Sequence, residues 1–281
     1  MSSHVSLALH QPEEAVTCSL NDALVPYPIG AQRNAITDYF ETTQNLVQKI
    51  ISTKYADDAE VLGLLVLGVV SCAEFYFRTV LSELTRTCPI SERHAESLNI
   101  PAGSISFYSR TAYASAISAF EHESLADAKK IIAEVKRFGG FSCAENSSVK
   151  KALEDFELLC ELRHCFVHAR GFVGLKAARA IGGARTLQKV LVGQKQALDF
   201  IKLSHNAVRA VNRYLSDEVL NRWIDRDVLI GRWREDKRLF ERFWSLFSVA
   251  GEDSYSGSPA KAYAVVKPII LKRKQAIAAK V

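Results

Sequence analysis

The chain has 281 residues, 48% of them hydrophobic and 24% charged, with 14 Gly and 7 Pro. That length fits one large domain or two small ones, and the composition excludes a disordered chain or a turn-rich sheet protein and favours helices. The net charge of +5 hides an asymmetry. Residues 1–161 carry 13 Lys and Arg against 21 Asp and Glu, and residues 162–281 carry 23 against 10. The basic half points to a polyanionic partner, unless the two halves complement each other across a dimer.

In chain order, residues 1–30 read as a tail, with Pro12, Pro26, Pro28 and Gly30 and little periodicity. Met1 to Ala15 lacks a basic start followed by an apolar block, so no secretory signal is expected. Ile36, Tyr39, Phe40, Leu46, Val47 and Ile50 predict a helix from about Asn34 to Thr53. A second helix is expected from about Asp57 to Thr87, ended by Pro89. Its apolar run, Val61 to Ala73, is too short to cross a bilayer and reads as a buried core segment. Pro101 and Gly103 mark a loop, and Ser106 to Phe120 is weakly helical. Ser124 is expected to cap a helix over Leu125–Phe138, stopped by Gly139 and Gly140. The next helix runs from about Ser147 to His168, with Gly171 as its left-handed cap. Residues 174–183 read as a loop, and Thr186 to Val192 as a short strand or a helix start. Further helices are expected over Gln194–Leu215 and Asp225–Phe247. A linker at 251–259 then precedes a basic tail. Six cysteines without a Cys-x-x-Cys pair read as reduced thiols of a cytoplasmic protein.

The chemistry concentrates in Glu161-Leu-Arg-His-Cys-Phe-Val-His-Ala-Arg-Gly171. Arg163 and His168 lie five positions apart, about 140° around a helix. They border one cleft if the helix ends near His168 and its last turn loosens. Imidazole titrates nearest neutral pH and suits proton transfer. Guanidinium stays charged and offers phosphate a planar fork. His164 lies one turn before His168 and is placed to orient it or to touch phosphate.

This stretch resembles the HEPN superfamily, whose signature is Arg, four to six residues, then His, with a polar residue such as His164 after the Arg. Gly68-Val-Val-Ser-Cys-Ala-Glu74-Phe-Tyr-Phe-Arg78 is similar to the family's upstream helix. The resemblance implies an all-α, HEPN-like helical bundle with a peripheral basic helical extension. It further implies endoribonuclease activity without metal or other cofactor. His168 would be the base on the ribose 2′-OH or the acid for the leaving oxygen, and Arg163 would hold the scissile phosphate. His164 and Glu74 would support them. The family also implies a homodimer with a composite site, a toxin or anti-phage role, an antitoxin or other regulatory partner, and no membrane. The 2′-OH requirement would spare DNA.

Other readings stand beside this one. Arg163 could pair with Asp155, Glu157 or Glu161 as a plain surface residue. Cys160, His164 and His168 form one stripe that could approach zinc, but three ligands on a straight helix converge poorly and no fourth is evident, so no metal is expected. Cys165 with His168 could form a nucleophile pair, but nothing nearby orients the imidazole. Glu74 and Arg78 could be an intrahelical ion pair. On the Asp225–Phe247 helix, Arg234 and Arg238, with Arg170 near the motif, are candidate RNA contacts, and Trp233, Phe240, Phe243 and Trp244 either stack on bases or pack inward. The expected organisation is a tail over 1–30, a helical domain over 31–216, an Arg- and aromatic-rich extension over 217–250, and a flexible basic tail over 251–281. The runner-up function is a non-catalytic RNA-binding or protein-interaction module.

Overall fold

A computed structural model describes residues 34–52, 58–96, 118–120, 123–182, 188–252 and 254–278, together with Leu24, Asn99 and Gly103. The expected N-terminal tail, most of the 106–120 stretch and Cys18 lie outside the described residues. From Arg33 onward the chain forms one compact unit. Among the described residues it is all-α, with nine α-helices: α1 (Ala35–Ser52), α2 (Ala59–Thr87), α3 (Pro89–Ala95), α4 (Ala128–Gly139), α5 (Ser148–Ala169), α6 (Leu175–Ile181), α7 (Gln194–Asp225), α8 (Trp233–Phe247) and α9 (Pro259–Ala278).

Local chemistry sets most of the boundaries. The Asp58 carboxylate accepts from the backbone N–H groups of Glu60 and Val61 and starts α2. Pro89 has no N–H to continue that helix and itself occupies the first turn of α3. Ser147 caps α5 as expected, and Gly140 ends α4 in the left-handed conformation. The cap of α4 is Asp127 and not Ser124, so that helix begins later than predicted.

The long helices α2 and α7 form the middle of the bundle, and α1 and α5 each pack against both. Helices α3 and α4 cover α2, α6 lies on α5, and α9 joins α8 to α7. Helix α2 is long and apolar enough to cross a bilayer, unlike the short run expected, with half of its most apolar window buried. Here it serves as the central core helix, with Val70, Ala73, Phe77, Val80 and Leu84 all buried. Where it passes α5, Gly63 leaves room for the Phe166 ring, which would lie 2.7 Å from an added Cβ.

The C-terminal third departs from the predicted organisation. Helix α7 runs to Asp225, across the expected boundary at 216, and Asp225 ends it instead of starting the next helix. The break falls at residues 226–232, where Asp227 and Gly231 have φ of 53° and 85°. Helix α8 is not peripheral: Phe240, Phe243, Leu246 and Phe247 belong to the same buried cluster as α2 and α7. Nor are residues 259–278 a flexible tail. They form α9 despite Pro268 in its interior, and Ala262, Tyr263 and Ile270 are buried against the bundle. The expected loop at 174–183 contains α6, and Gly174 and Gly182 are its two caps. Of the stretch expected as a short strand or a helix start, Thr186 and Leu187 lie outside the described residues, and the rest holds one antiparallel bridge, between Phe172 and Lys189. Cys72, Cys88, Cys143, Cys160 and Cys165 are all free thiols.

One half-buried histidine gives the fold a pH dependence. His205 packs edge-on against Tyr39 and Phe40, and its Nε2 lies 2.9 Å from the Thr43 hydroxyl. Burial first, and the nearby Arg209 charge second, lower its pKa from the usual 6.5 to about 4. The folded ring therefore stays neutral where the unfolded ring takes up a proton. Stability contributed by this site is complete above about pH 6.5 and is lost as pH falls towards 4. The expected loss is of order 1 kcal/mol, discounted for the ring's partial exposure. Urea melts between pH 7 and 5 should show it, and His205→Gln should flatten that slope.

Candidate functional site

Helix α5 carries the Arg-His stretch, and its C-terminal end is tightly fixed. The carbonyl of Cys165 accepts from the N–H groups of Arg170 and Gly171. Val190 N–H donates to Gly171 O at 2.8 Å, and Val173 N–H to Gln188 O at 2.9 Å. Arg170, one residue before the predicted Gly171, is the first left-handed residue, at φ 50°, and Gly171 follows at 89°. Such a conformation costs a non-glycine residue about 1 kcal/mol. The exposed Arg170 thus sits where the chain leaves the helix.

The last turn does not loosen. Helical geometry continues through Ala169, so within one chain Arg163 and His168 remain well apart around the same helix. His168 is exposed, and its ring is in contact with that of exposed His164, 4.6 Å between centroids. Arg163 is half-buried and faces the other way, into a cavity of about 190 Å³ that His164 also lines and His168 does not. His164 is therefore the residue common to the cavity and to the imidazole pair.

The plain ion-pair reading of Arg163 is not realised. Glu157 accepts from the Ala128 N–H at the start of α4, and Glu161 pairs with Lys176 of α6 at 2.7 Å. Among the described residues Arg163 has no salt bridge, so its charge stands free at the cavity edge. Its positive field reaches Cys160, whose thiol pKa is nevertheless pushed well up, chiefly by burial. Burial likewise raises Cys165, which does not favour a thiolate nucleophile. Among the described residues no group of three or more His, Cys, Asp or Glu is placed to hold a metal ion.

Glu74 is buried and acts from behind. Its Oε1 takes the Arg78 guanidinium at 3.0 Å and the Leu125 N–H at 2.8 Å. Arg78 also donates to Glu123 O. Ser124 and Ala126, either side of Leu125, line the cavity. Glu74 thus secures the cavity wall and does not open into it, and the i,i+4 ion pair with Arg78 is part of that task.

Arg234 and Arg238 are exposed on α8, and Arg242 continues the same stripe. Their neighbours pair locally, Arg232 with Glu235 and Lys237 with Glu241. The interleaved aromatics do not offer stacking faces. Phe240 and Phe243 are buried, Trp233 packs on Tyr263, and Trp244 on Tyr255. No α8 residue lines the cavity beside Arg163.

The motif end also carries exposed apolar side chains: Val167 at 51%, Phe172 at 55%, Leu175 at 69% and Leu191 at 68% exposure. Comparison with family models, with curated proteins and with solved structures gives no match for this chain.

Proposed function

We propose that this protein is a metal-independent endoribonuclease of HEPN type that works as a homodimer. The observation that carries the reading is the free Arg163 guanidinium at a polar cavity that shares His164 with a solvent-open pair of imidazoles. In this reading Arg163 holds the scissile phosphate, and His168 moves the proton of the ribose 2′-OH or of the leaving oxygen. The 2′ oxygen attacks the adjacent phosphorus, the 5′ oxygen leaves with a proton, and the product ends in a 2′,3′-cyclic phosphate. His164 holds the His168 ring, and Glu74 holds the wall behind Arg163.

The divergence of Arg163 and His168 around one helix favours a site completed by a second copy. The exposed Val167, Phe172, Leu175 and Leu191 surround the helix end that such a copy would approach. A C2 pairing there would bring two motif ends together. Arg170 and the α8 stripe of Arg234 and Arg238 supply further cations for the RNA backbone. A biological role as toxin or anti-phage effector, restrained by a regulatory partner, is consistent with this chemistry.

The second reading is a non-catalytic RNA-binding module, favoured by the absence of His168 from the cavity that Arg163 lines. Incubation of the purified protein with single-stranded RNA in EDTA separates the two. The expected result is cleavage that leaves cyclic phosphate ends and spares the matching DNA. Retention of RNA without cleavage supports the module, and cleavage only with a divalent ion overturns the metal-independent mechanism.

A further inference from the structure

The cavity beside Arg163 holds a carboxylate with unused accepting capacity. Glu161 is 4% exposed, and its Oε1 takes the Lys176 ammonium at 2.7 Å. Its Oε2 is buried and has no hydrogen-bond partner. A buried carboxylate oxygen without a donor is costly, so a ligand that supplies one is favoured. Lys176 itself is 78% exposed along its side chain, so its ammonium can leave Glu161 for water or for a phosphate. Arg163 and Lys130 bring positive charge to the same cavity, while its other carboxylates, Asp127 and Glu157, already accept from the Lys130 and Ala128 N–H groups. The cavity therefore suits a ligand that brings N–H donors to Glu161 and an anionic group to Arg163. At about 190 Å³ the space takes a fragment of the size of one nucleobase, well below a drug-sized pocket.

We infer that this cavity is a base-recognition subsite that takes a guanine of single-stranded RNA, read by Glu161. The inference builds on the ribonuclease reading, since Arg163 would hold the phosphate next to that guanine. The choice of base follows from the carboxylate, which only accepts. Guanine alone presents two adjacent donors, N1–H and the N2 amino group, on its Watson–Crick edge. Adenine, cytosine and uracil each place an acceptor beside their donor there, which a carboxylate repels. Unpaired bases in single-stranded RNA expose this edge. On binding, the guanine edge replaces the Lys176 ammonium at Glu161, and Lys176 turns to the phosphate.

The test separates base recognition from cleavage. Binding of short 2′-deoxy oligonucleotides, which the proposed chemistry cannot cut, is measured with a single central guanine, inosine, adenine or uracil. Guanine should bind roughly tenfold or more tightly than inosine, which lacks only the amino group. Glu161→Gln should remove the guanine preference, because its amide places a donor where the carboxylate only accepts. The inosine arm needs no variant and so cannot fail through misfolding. Equal binding of all four oligonucleotides, no binding at millimolar concentration, or a preference that survives Glu161→Gln overturns the inference, whether or not RNA is cleaved. A guanine preference without cleavage of any RNA would uphold the subsite while the nuclease reading fails.

Discussion

His168→Ala should leave a folded protein whose RNA cleavage has fallen by about 10²–10⁴-fold, the contribution of a positioned acid or base. The ring is exposed and lies against that of His164. Removing it should change stability by no more than about 0.5 kcal/mol, as for surface substitutions generally. Arg163→Ala should cost cleavage on a similar scale, because a charge-assisted hydrogen bond to phosphate is worth about 1.5–3 kcal/mol and the second phosphate contact of the fork is lost with it. His164→Ala should have a smaller effect and should shift the pH profile of cleavage, since it changes the environment of the working imidazole. The two inactive variants also report on the dimer. In a site built from Arg163 of one copy and His168 of the other, mixing the variants regenerates one intact site in every mixed dimer. With random exchange, half the dimers are mixed and each has one of its two sites, so roughly a quarter of wild-type activity should return. A site built within one chain would regain nothing. Full activity in His168→Ala alone would sink the mechanism.

The sequence carried some of this clearly and some of it not at all. Helices α1, α2 and α5 were readable because their apolar spacing and their caps agree: Asp58 and Ser147 lie immediately before apolar periodic runs, and Pro89 forbids continuation. Helix α6 was missed because Gly174 and Gly182 look like loop residues, whereas they are the two caps of a seven-residue helix. Helix α9 was hidden by its lysines and Pro268, although Tyr263 and Ile270 are apolar anchors at positions 263 and 270, two turns apart. The α7–α8 boundary was misplaced because Asp225 resembles a cap, while the real break depends on Gly231 and on a tertiary contact. Within the site, Arg163, His164 and His168 stood out by type and spacing. The freedom of Arg163 did not, since it depends on Glu157 turning to α4 and Glu161 to α6. The unpartnered Glu161 oxygen and the aromatic cage of His205 are likewise products of packing, and no local pattern marks them.

Asp236 is where a single substitution should cost the fold most. Its carboxylate is buried in the first turn of α8 and accepts from Ile230 N–H at 3.0 Å, from Gly231 N–H at 2.9 Å and from the Tyr263 hydroxyl. One side chain thus joins the α7–α8 break, the start of α8 and the face of α9. Tyr263 stays a neutral donor, because burial and then the Asp236 hydrogen bond raise its pKa. Gly231 is itself hard to replace: a Cβ there would lie 2.8 Å from Leu271, and its φ is 85°. Asp236→Ala leaves two backbone donors and a phenol without their acceptor in a largely buried place. Each hydrogen bond to a charged group is worth about 1.5–3 kcal/mol, so a loss of about 3–5 kcal/mol is expected after relaxation. Tyr263→Phe removes only one donor and should cost about 1–2 kcal/mol. Because both changes act on one network, the double variant should be clearly less destabilised than the sum. Urea melts of the three variants measure all of this. An Asp236→Ala protein within about 1 kcal/mol of wild type would mean that the break is held by apolar packing of Phe240 and Ile270 alone, and that the carboxylate is replaceable by water.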